Sequence, residues 1–245
     1  MSVGSRYAVS PEKDPVFNED AYVLKDHLAG SSATIIPSLG NNLMSFVVSP
    51  DEGSPLEVMM GAPAGESIER ASRWGNPILF PFPNRVRNAC YSFEGHEYRL
   101  DVNTPDGHHL HGLVRDLPWR VEEARAGDDG ALLRCSLRTT EHSDVLRQYP
   151  FPFVLSVTYV LASNTLRCDA AVQNTGEGRL PMGFGLHPYF RAPLEPEGNR
   201  ADCMVQVPAR YTWKLDAEKL PTGEQVLTPP ELETPRWEKE SIMRW

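Results

Sequence analysis

Apolar and polar residues alternate with a period of two along much of this chain. In Leu133, Arg134, Cys135, Ser136, Leu137 and Arg138 the odd positions are apolar and the even ones polar. Leu155, Val157, Tyr159 and Leu161 alternate with Ser156, Thr158 and Val160, and only Val160 breaks the pattern. Leu166, Cys168, Ala170 and Val172 alternate in the same way with Arg167, Asp169 and Ala171. Successive side chains of a strand point to opposite faces, so this pattern predicts strands with one buried face. Segments 153–162 and 165–173 are separated by Ser163-Asn164, a two-residue turn signal, and are expected to form a hairpin. A second hairpin is expected where segments 91–93 and 98–100 flank Glu94-Gly95-His96. Helical periodicity is scarce. Residues 64–73 fit one short helix, and 22 prolines interrupt most other windows.

Many short strands with Pro and Gly punctuation predict an all-β fold, an antiparallel β-sandwich. No repeat or linker divides the chain, so one domain is expected over residues 1–245. The stretch 228–245 is rich in Pro and Glu and stops at Ile242-Met243-Arg244-Trp245 with no closing strand signal, so an unpaired sheet edge is expected.

Composition narrows the partners. Hydrophobic residues make up 40% and charged residues 23%, enough for a packed core. A formal net charge of −9 repels a phosphate backbone, which argues against nucleic acid or an anionic membrane as partner. No apolar run reaches the roughly 18 residues of a membrane span. The N-terminus MSVGSRYAVSPEKDP lacks an apolar signal core, so a cytoplasmic protein is expected. Cys90, Cys135, Cys168 and Cys203 form no CxxC pair and read as reduced thiols, two of them on apolar strand faces.

Three polar clusters can carry chemistry. The first ends an apolar run in Asn84-Arg85, a guanidinium fork beside an amide, suited to vicinal hydroxyls or a carboxylate. The second is Asp106-Gly107-His108-His109-Leu110-His111-Gly112. His109 and His111 would share one side of a strand, which invites a metal, but Asp116 stands at no recognised ligand spacing. His108 and His109 read better as solvated or hydrogen-bonded loop imidazoles, and no metal is expected. The third is Gly183-Phe184-Gly185-Leu186-His187-Pro188-Tyr189-Phe190, a histidine among glycines and aromatics where backbone and a flat ligand approach closely. Imidazole both gives and takes a proton around neutrality. His27, His96 and His142 carry no such context.

The order of these clusters resembles one family. Asn84-Arg85, then Leu110-His111-Gly112 with Arg115 and Pro118-Trp119, then Gly185-Leu186-His187-Pro188-Tyr189-Phe190, is similar to the aldose 1-epimerases, or galactose mutarotases. Trp213-Lys214-Leu215-Asp216 and Leu220-Pro221-Thr222-Gly223-Glu224 extend the likeness, which covers residues 35–224. The resemblance implies a large twisted antiparallel sandwich that interconverts the α and β anomers of an aldose without a cofactor. It implies His187 as the acid that protonates the ring oxygen and His111 as a hydrogen-bond donor beside it. It implies Asn84 and Arg85 as ligands of sugar hydroxyls, and Tyr189 and, less, Trp74 against the apolar face of the ring, although Trp74 reads better as core.

The family's base is a glutamate near the C-terminus in a run like EPWT or EPYT, and no such run occurs here. The resemblance therefore implies a chain cut short before its base, with activity lowered. Glu231, Glu233, Glu238 and Glu240 read as solvated surface, and Asp216 as a loop carboxylate. Three alternatives follow: a sugar-binding remnant without turnover, an epimerase of hexose 6-phosphates served by Arg87, Arg115 or Arg191, and a metal-dependent enzyme using His109 and His111. The sequence leaves the oligomeric state open.

Overall fold

The computed structural model describes residues 5–204, 206 and 208–228. Glu231, Glu233, Glu238, Glu240 and the terminal Ile242-Met243-Arg244-Trp245 lie outside the described residues. The chain forms two compact units, Met1–Phe190 and Arg191–Trp245.

The first unit runs through β1 (Tyr7–Lys13), β2 (Asp20–Asp26), β3 (Ser31–Ile36), β4 (Asn42–Val48) and β5 (Leu56–Glu57), which pair in chain order in one antiparallel sheet. Short strands follow: β6 (Ile78–Leu79), β7 (Arg85–Val86), β8 (Cys90–Phe93), β9 (His96–Arg99) and β10 (His109–Leu110). A second antiparallel sheet is built from β11 (Arg120–Gly127), β12 (Gly130–Arg138), β13 (Phe153–Ala162) and β14 (Thr165–Asn174), with the short helix α1 (Ser143–Gln148) before β13. β15 (Gly185–Leu186) closes the unit and pairs with β6. The second unit contains the hairpin of β16 (Tyr211–Leu215) and β17 (Pro221–Leu227). Its turn is capped by Asp216, whose carboxylate accepts from the Glu218 and Leu220 N–H groups at 2.9 and 3.0 Å.

The alternation read from the sequence becomes the core. Leu133, Cys135 and Leu137 of β12 and Leu155, Val157, Tyr159 and Leu161 of β13 are buried. They pack in one cluster with Leu24, Ala33, Ile35 and Leu43 of the first sheet. Each buried Leu or Val stabilises the fold by about 1.5–3 kcal/mol relative to exposure. The expected hairpin forms with Ser163 and Asn164 both left-handed at φ 48° and 59°, which suits a two-residue turn. β8 and β9 join through Glu94 and Gly95 in the same conformation, φ 50° and 82°.

Two expectations change. The helix over 64–73 contracts to a 3₁₀ turn at Ile68–Arg73, because Pro63 and Gly65 leave its first residues unsupported. β14 buries its apolar face only in part. Leu166, Cys168 and Val172 are half-covered and Ala170 is exposed, since β14 is the last strand of its sheet among the described residues.

The hairpin turn is fastened to the first sheet by a buried carboxylate. Asp26 accepts from Arg6 Nε and Nη2 at 3.1 and 2.9 Å, from the Leu28 and Ala29 N–H groups at 3.0 and 3.1 Å, and from the Ser163 N–H at 3.0 Å. Asn164 completes the clasp, its amide donating to the Ser49 carbonyl at 2.7 Å and accepting from the Ser49 N–H at 3.1 Å. The Arg6 guanidinium, aided by these N–H donors, holds the Asp26 carboxyl well below the usual carboxylate range. Among the described residues no helix is long and apolar enough to cross a membrane.

Asp26→Asn is expected to lower stability by roughly 1–3 kcal/mol, because the partly exposed Arg6 loses its counter-charge and a buried acceptor is lost. A depressed carboxylate contributes stability that is complete above its unfolded value near 4 and fades as pH falls below that. Urea midpoints measured from pH 7 down to pH 3 should fall in the native chain and fall less in the variant.

Candidate active site

Sequence-distant segments meet at one end of the first unit. The stretch 75–80 is anchored by Asn42, fully buried on β4. Its side chain accepts from the Asn76 N–H at 2.8 Å and donates to the Trp74 carbonyl at 3.0 Å. Gly75 is left-handed at φ 70°, and a Cβ there would lie 2.4 Å from the Leu43 carbonyl oxygen. That close approach lets the 75–80 stretch act as a spine for the segments that carry the polar groups.

On one side of the spine, the His187 N–H donates to the Pro77 carbonyl at 3.0 Å and the Tyr189 N–H to the Gly75 carbonyl at 2.8 Å. On the other side, Phe80 bridges Gly112 in parallel, and the Leu113 N–H donates to the Phe80 carbonyl at 2.7 Å. β7 and β10 pair beside this bridge, with Leu110 opposite Arg85. The Asn84 and His111 backbones then lock to each other. The His111 N–H donates to the Asn84 carbonyl at 2.9 Å, and the Asn84 N–H donates to His111 Nδ1 at 3.3 Å.

Both residues are left-handed, at φ 61° and 69°. Asn tolerates this conformation, whereas for His111 it costs on the order of 1–3 kcal/mol. The expectation that His109 and His111 share one side of a strand is corrected here. β10 ends at Leu110 and the positive φ turns His111 off the strand. His108 and His109 are hydrogen-bonded, as expected for one of their two readings, but they are buried rather than solvated. Among the described residues no group of three or more His, Cys, Asp or Glu side chains could hold a metal ion.

The result is a cleft of about 620 Å³ into which Arg85, His111, His187 and Tyr189 all face. That volume lies within the range of small-ligand sites. The His111 and His187 rings lie edge to face with centroids 4.9 Å apart, and the His187 and Tyr189 rings are also 4.9 Å apart. Asn84, expected to hold sugar hydroxyls, is not among the residues that line the cleft, and its side-chain oxygen accepts from Arg85 Nη1 at 3.5 Å. Arg85 is mostly buried and lies 3.7 Å from Asp106, so its guanidinium keeps donors for a ligand. Trp74 does not line the cleft. It packs on Ile36, Met44 and Ala71 and donates from Nε1 to Glu66 at 3.0 Å.

The electrostatics set proton positions. A backbone N–H can only donate, so His111 Nδ1 accepts from Asn84 and the neutral ring carries its proton on Nε2. Burial, then the neighbouring His187 and the Arg115 and Arg85 charges, push His111 down to about 4. At neutral pH it is therefore an uncharged donor. Burial also raises the Tyr189 hydroxyl, which stays protonated.

Sequence reasoning did not single out Glu69, Arg73 or Asp116 as lining this space. Arg73 and Glu69 sit on the 3₁₀ turn, which no motif marks. Arg115 was noted, and a contact fixes it: a Cβ on Gly40 would lie 1.8 Å from the Arg115 carbonyl oxygen.

Gly112 tests this construction. It is left-handed at φ 73°, and a Cβ there would lie 2.2 Å from the Phe80 carbonyl oxygen. Gly112→Ala should cost more than about 2 kcal/mol, with the lost stability read from a denaturant titration. Gly95→Ala, left-handed but with nothing within 4 Å of its Cβ, should cost only about 1 kcal/mol.

The chain is similar to several proteins. It is 31% identical over 147 residues to the uncharacterized protein YihR of Escherichia coli K12, a match covering 59% of this chain and 44% of that protein. The chain thus spans less than half the length of that relative. A galactose mutarotase-like protein from Clostridium acetobutylicum superposes with a TM-score of 0.82 at 22% identity, covering 92% of this chain and 66% of the other. The Slr1438 protein from Synechocystis sp. PCC 6803 superposes with a TM-score of 0.67 at 26% identity, covering 91% and 68%. The Clostridium acetobutylicum neighbour fixes the fold as the galactose mutarotase-like sandwich expected from the sequence. Residues 20–243 match the profile of the aldose 1-epimerases, and the chain belongs to that family.

Proposed function

We propose that the cleft binds the pyranose ring of an aldose and promotes exchange of its anomers by acid-assisted ring opening. The observation that carries this reading is the pairing of a neutral Nε2–H donor, His111, with a second imidazole, His187, at 4.9 Å between ring centroids in one cleft. Opening a hemiacetal requires a proton at the ring oxygen as the C1–O5 bond breaks, while the C1 hydroxyl loses one, here to solvent water. His187 delivers the first. His111 donates to the same region of the sugar without gaining charge. Arg85, held by Asn84 and Asp106, binds hydroxyls, and Tyr189 lies against the ring beside His187. The free aldehyde rotates about C1–C2, and on reclosure the O5 proton returns to His187 while water reprotonates the C1 oxygen.

The glutamate base of the family resemblance has no counterpart motif in residues 1–245. The proposal therefore covers binding and the acid half of the reaction. Well-placed general acid catalysis contributes about 10²–10⁴-fold. A second substrate reading rests on Arg73, Arg85 and Arg115, which line the same cleft and suit a sugar bearing a phosphate.

Polarimetry of fresh α-D-glucose, α-D-galactose and glucose 6-phosphate with the purified chain tests both. Acceleration over a buffer blank is expected, reduced at least about 10²-fold by His187→Ala with the dissociation constant changed only a few-fold. A preference for the phosphate ester that Arg115→Ala abolishes would select the second substrate. Binding without acceleration would leave a sugar-binding protein. The absence of both binding and acceleration would contradict the proposal.

A further inference from the structure

Three imidazoles in the run His108-His109-Leu110-His111 face different partners. The Asn88 N–H lies 3.1 Å from His108 Nδ1, and the Asn84 N–H 3.3 Å from His111 Nδ1. Both of those rings accept at Nδ1. His109 meets the opposite situation. Its Nδ1 lies 2.7 Å from the Asp101 carbonyl oxygen and its Nε2 3.0 Å from the Gly112 carbonyl oxygen. Carbonyl oxygens only accept, so both contacts are hydrogen bonds only when both ring nitrogens carry protons. A neutral ring would turn a lone pair toward one of the carbonyls at hydrogen-bond distance. His109 is 3% exposed, so water cannot relieve that repulsion.

We propose that His109 is a positioning residue, held as a buried imidazolium that staples the Asp101 and Gly112 carbonyls together and so fixes the turn that presents His111 to the cleft. A buried cation needs compensation, and two carbonyl dipoles and a carboxylate surround this one. Asp101 is held below the usual carboxylate range by Arg147, at 3.1 Å, and additionally by His109. Across the ladder His109 pairs with Val86, flanked by Arg85 and Arg87, and His111 lies beside it. Gly112 is the residue that bridges the Phe80 spine, so the staple acts where the His111 turn is most constrained. The same positive charge adds to the effects that keep His111 uncharged.

Long-range proton–nitrogen correlation spectra of the full chain with ¹⁵N-labelled histidine rings test this near neutral pH. His109 should show two nearly equal, protonated ring nitrogens, while His108 and His111 show one protonated and one bare nitrogen. His109→Gln assigns the signal and cannot span both carbonyls. In that variant His111 should lose its single Nε2–H form, and its titration midpoint should rise above about 4. Aldose affinity should fall about tenfold or more. A bare nitrogen on His109 in the native chain would overturn the proposal even if the variant fails to fold. An unchanged His111 ring in a folded variant would overturn the positioning role. The affinity readout rests on the function proposed above. The ring signatures do not, so a chain that binds no aldose yet shows them refutes that function alone.

Discussion

The reciprocal bond between Asn84 and His111 is the constraint on which the site depends. The two residues lie 27 positions apart, and each gives the other one hydrogen bond through its backbone N–H. The contact demands left-handed backbone at both, a conformation that β-branched or bulky side chains reach only at a cost. The fold supplies that cost by over-determining the turn from three directions. These are the Phe80–Gly112 bridge, the β7–β10 ladder and the buried His109 ring. Because the Asn84 N–H reaches Nδ1, the backbone also dictates which nitrogen of His111 faces the cleft as a donor. Backbone geometry thus becomes side-chain chemistry in one step.

The cleft is electrically mixed rather than uniformly charged. Arg73, Arg85 and Arg115 stand against Glu69, Asp106 and Asp116 in its lining. Such an array suits a neutral, many-hydroxyl ligand, because each hydroxyl both donates and accepts. Desolvation beside these charges keeps His111 neutral, so it stands as a fixed donor beside the His187 ring. The spine of residues 75–80 is fastened to β4 by Asn42, and the two sheets are clasped at the far hairpin by Asp26 and Asn164.

Much of this was legible in the sequence, for physical reasons. β12 and β13 are covered mainly on one face, so their alternation survived as a period of two, and Ser163-Asn164 formed the expected two-residue turn between β13 and β14. The residues that the cleft brings together, Arg85, His111, His187 and Tyr189, all lie in three short motifs of unusual composition. Other features left no periodic trace. Asn42 and Asp26 act through single buried side chains and look like any polar residue in a strand. The 3₁₀ turn bearing Glu69 and Arg73 is too short for a helical period to register. His109 was read as a loop imidazole because alternation cannot distinguish a buried ring bonded to two carbonyls from a solvated one. His111 was placed on a strand because its left-handed φ follows from the tertiary bond to Asn84 and not from local propensity.

A crystal structure of the chain with D-galactose bound tests the central claim most directly. The account predicts the pyranose between Arg85 and Tyr189, with its ring oxygen and anomeric hydroxyl within roughly 2.6–3.2 Å of the His187 and His111 ring nitrogens. A sugar seated elsewhere, or one meeting the Nδ1 rather than the Nε2 edge of His111, would contradict it.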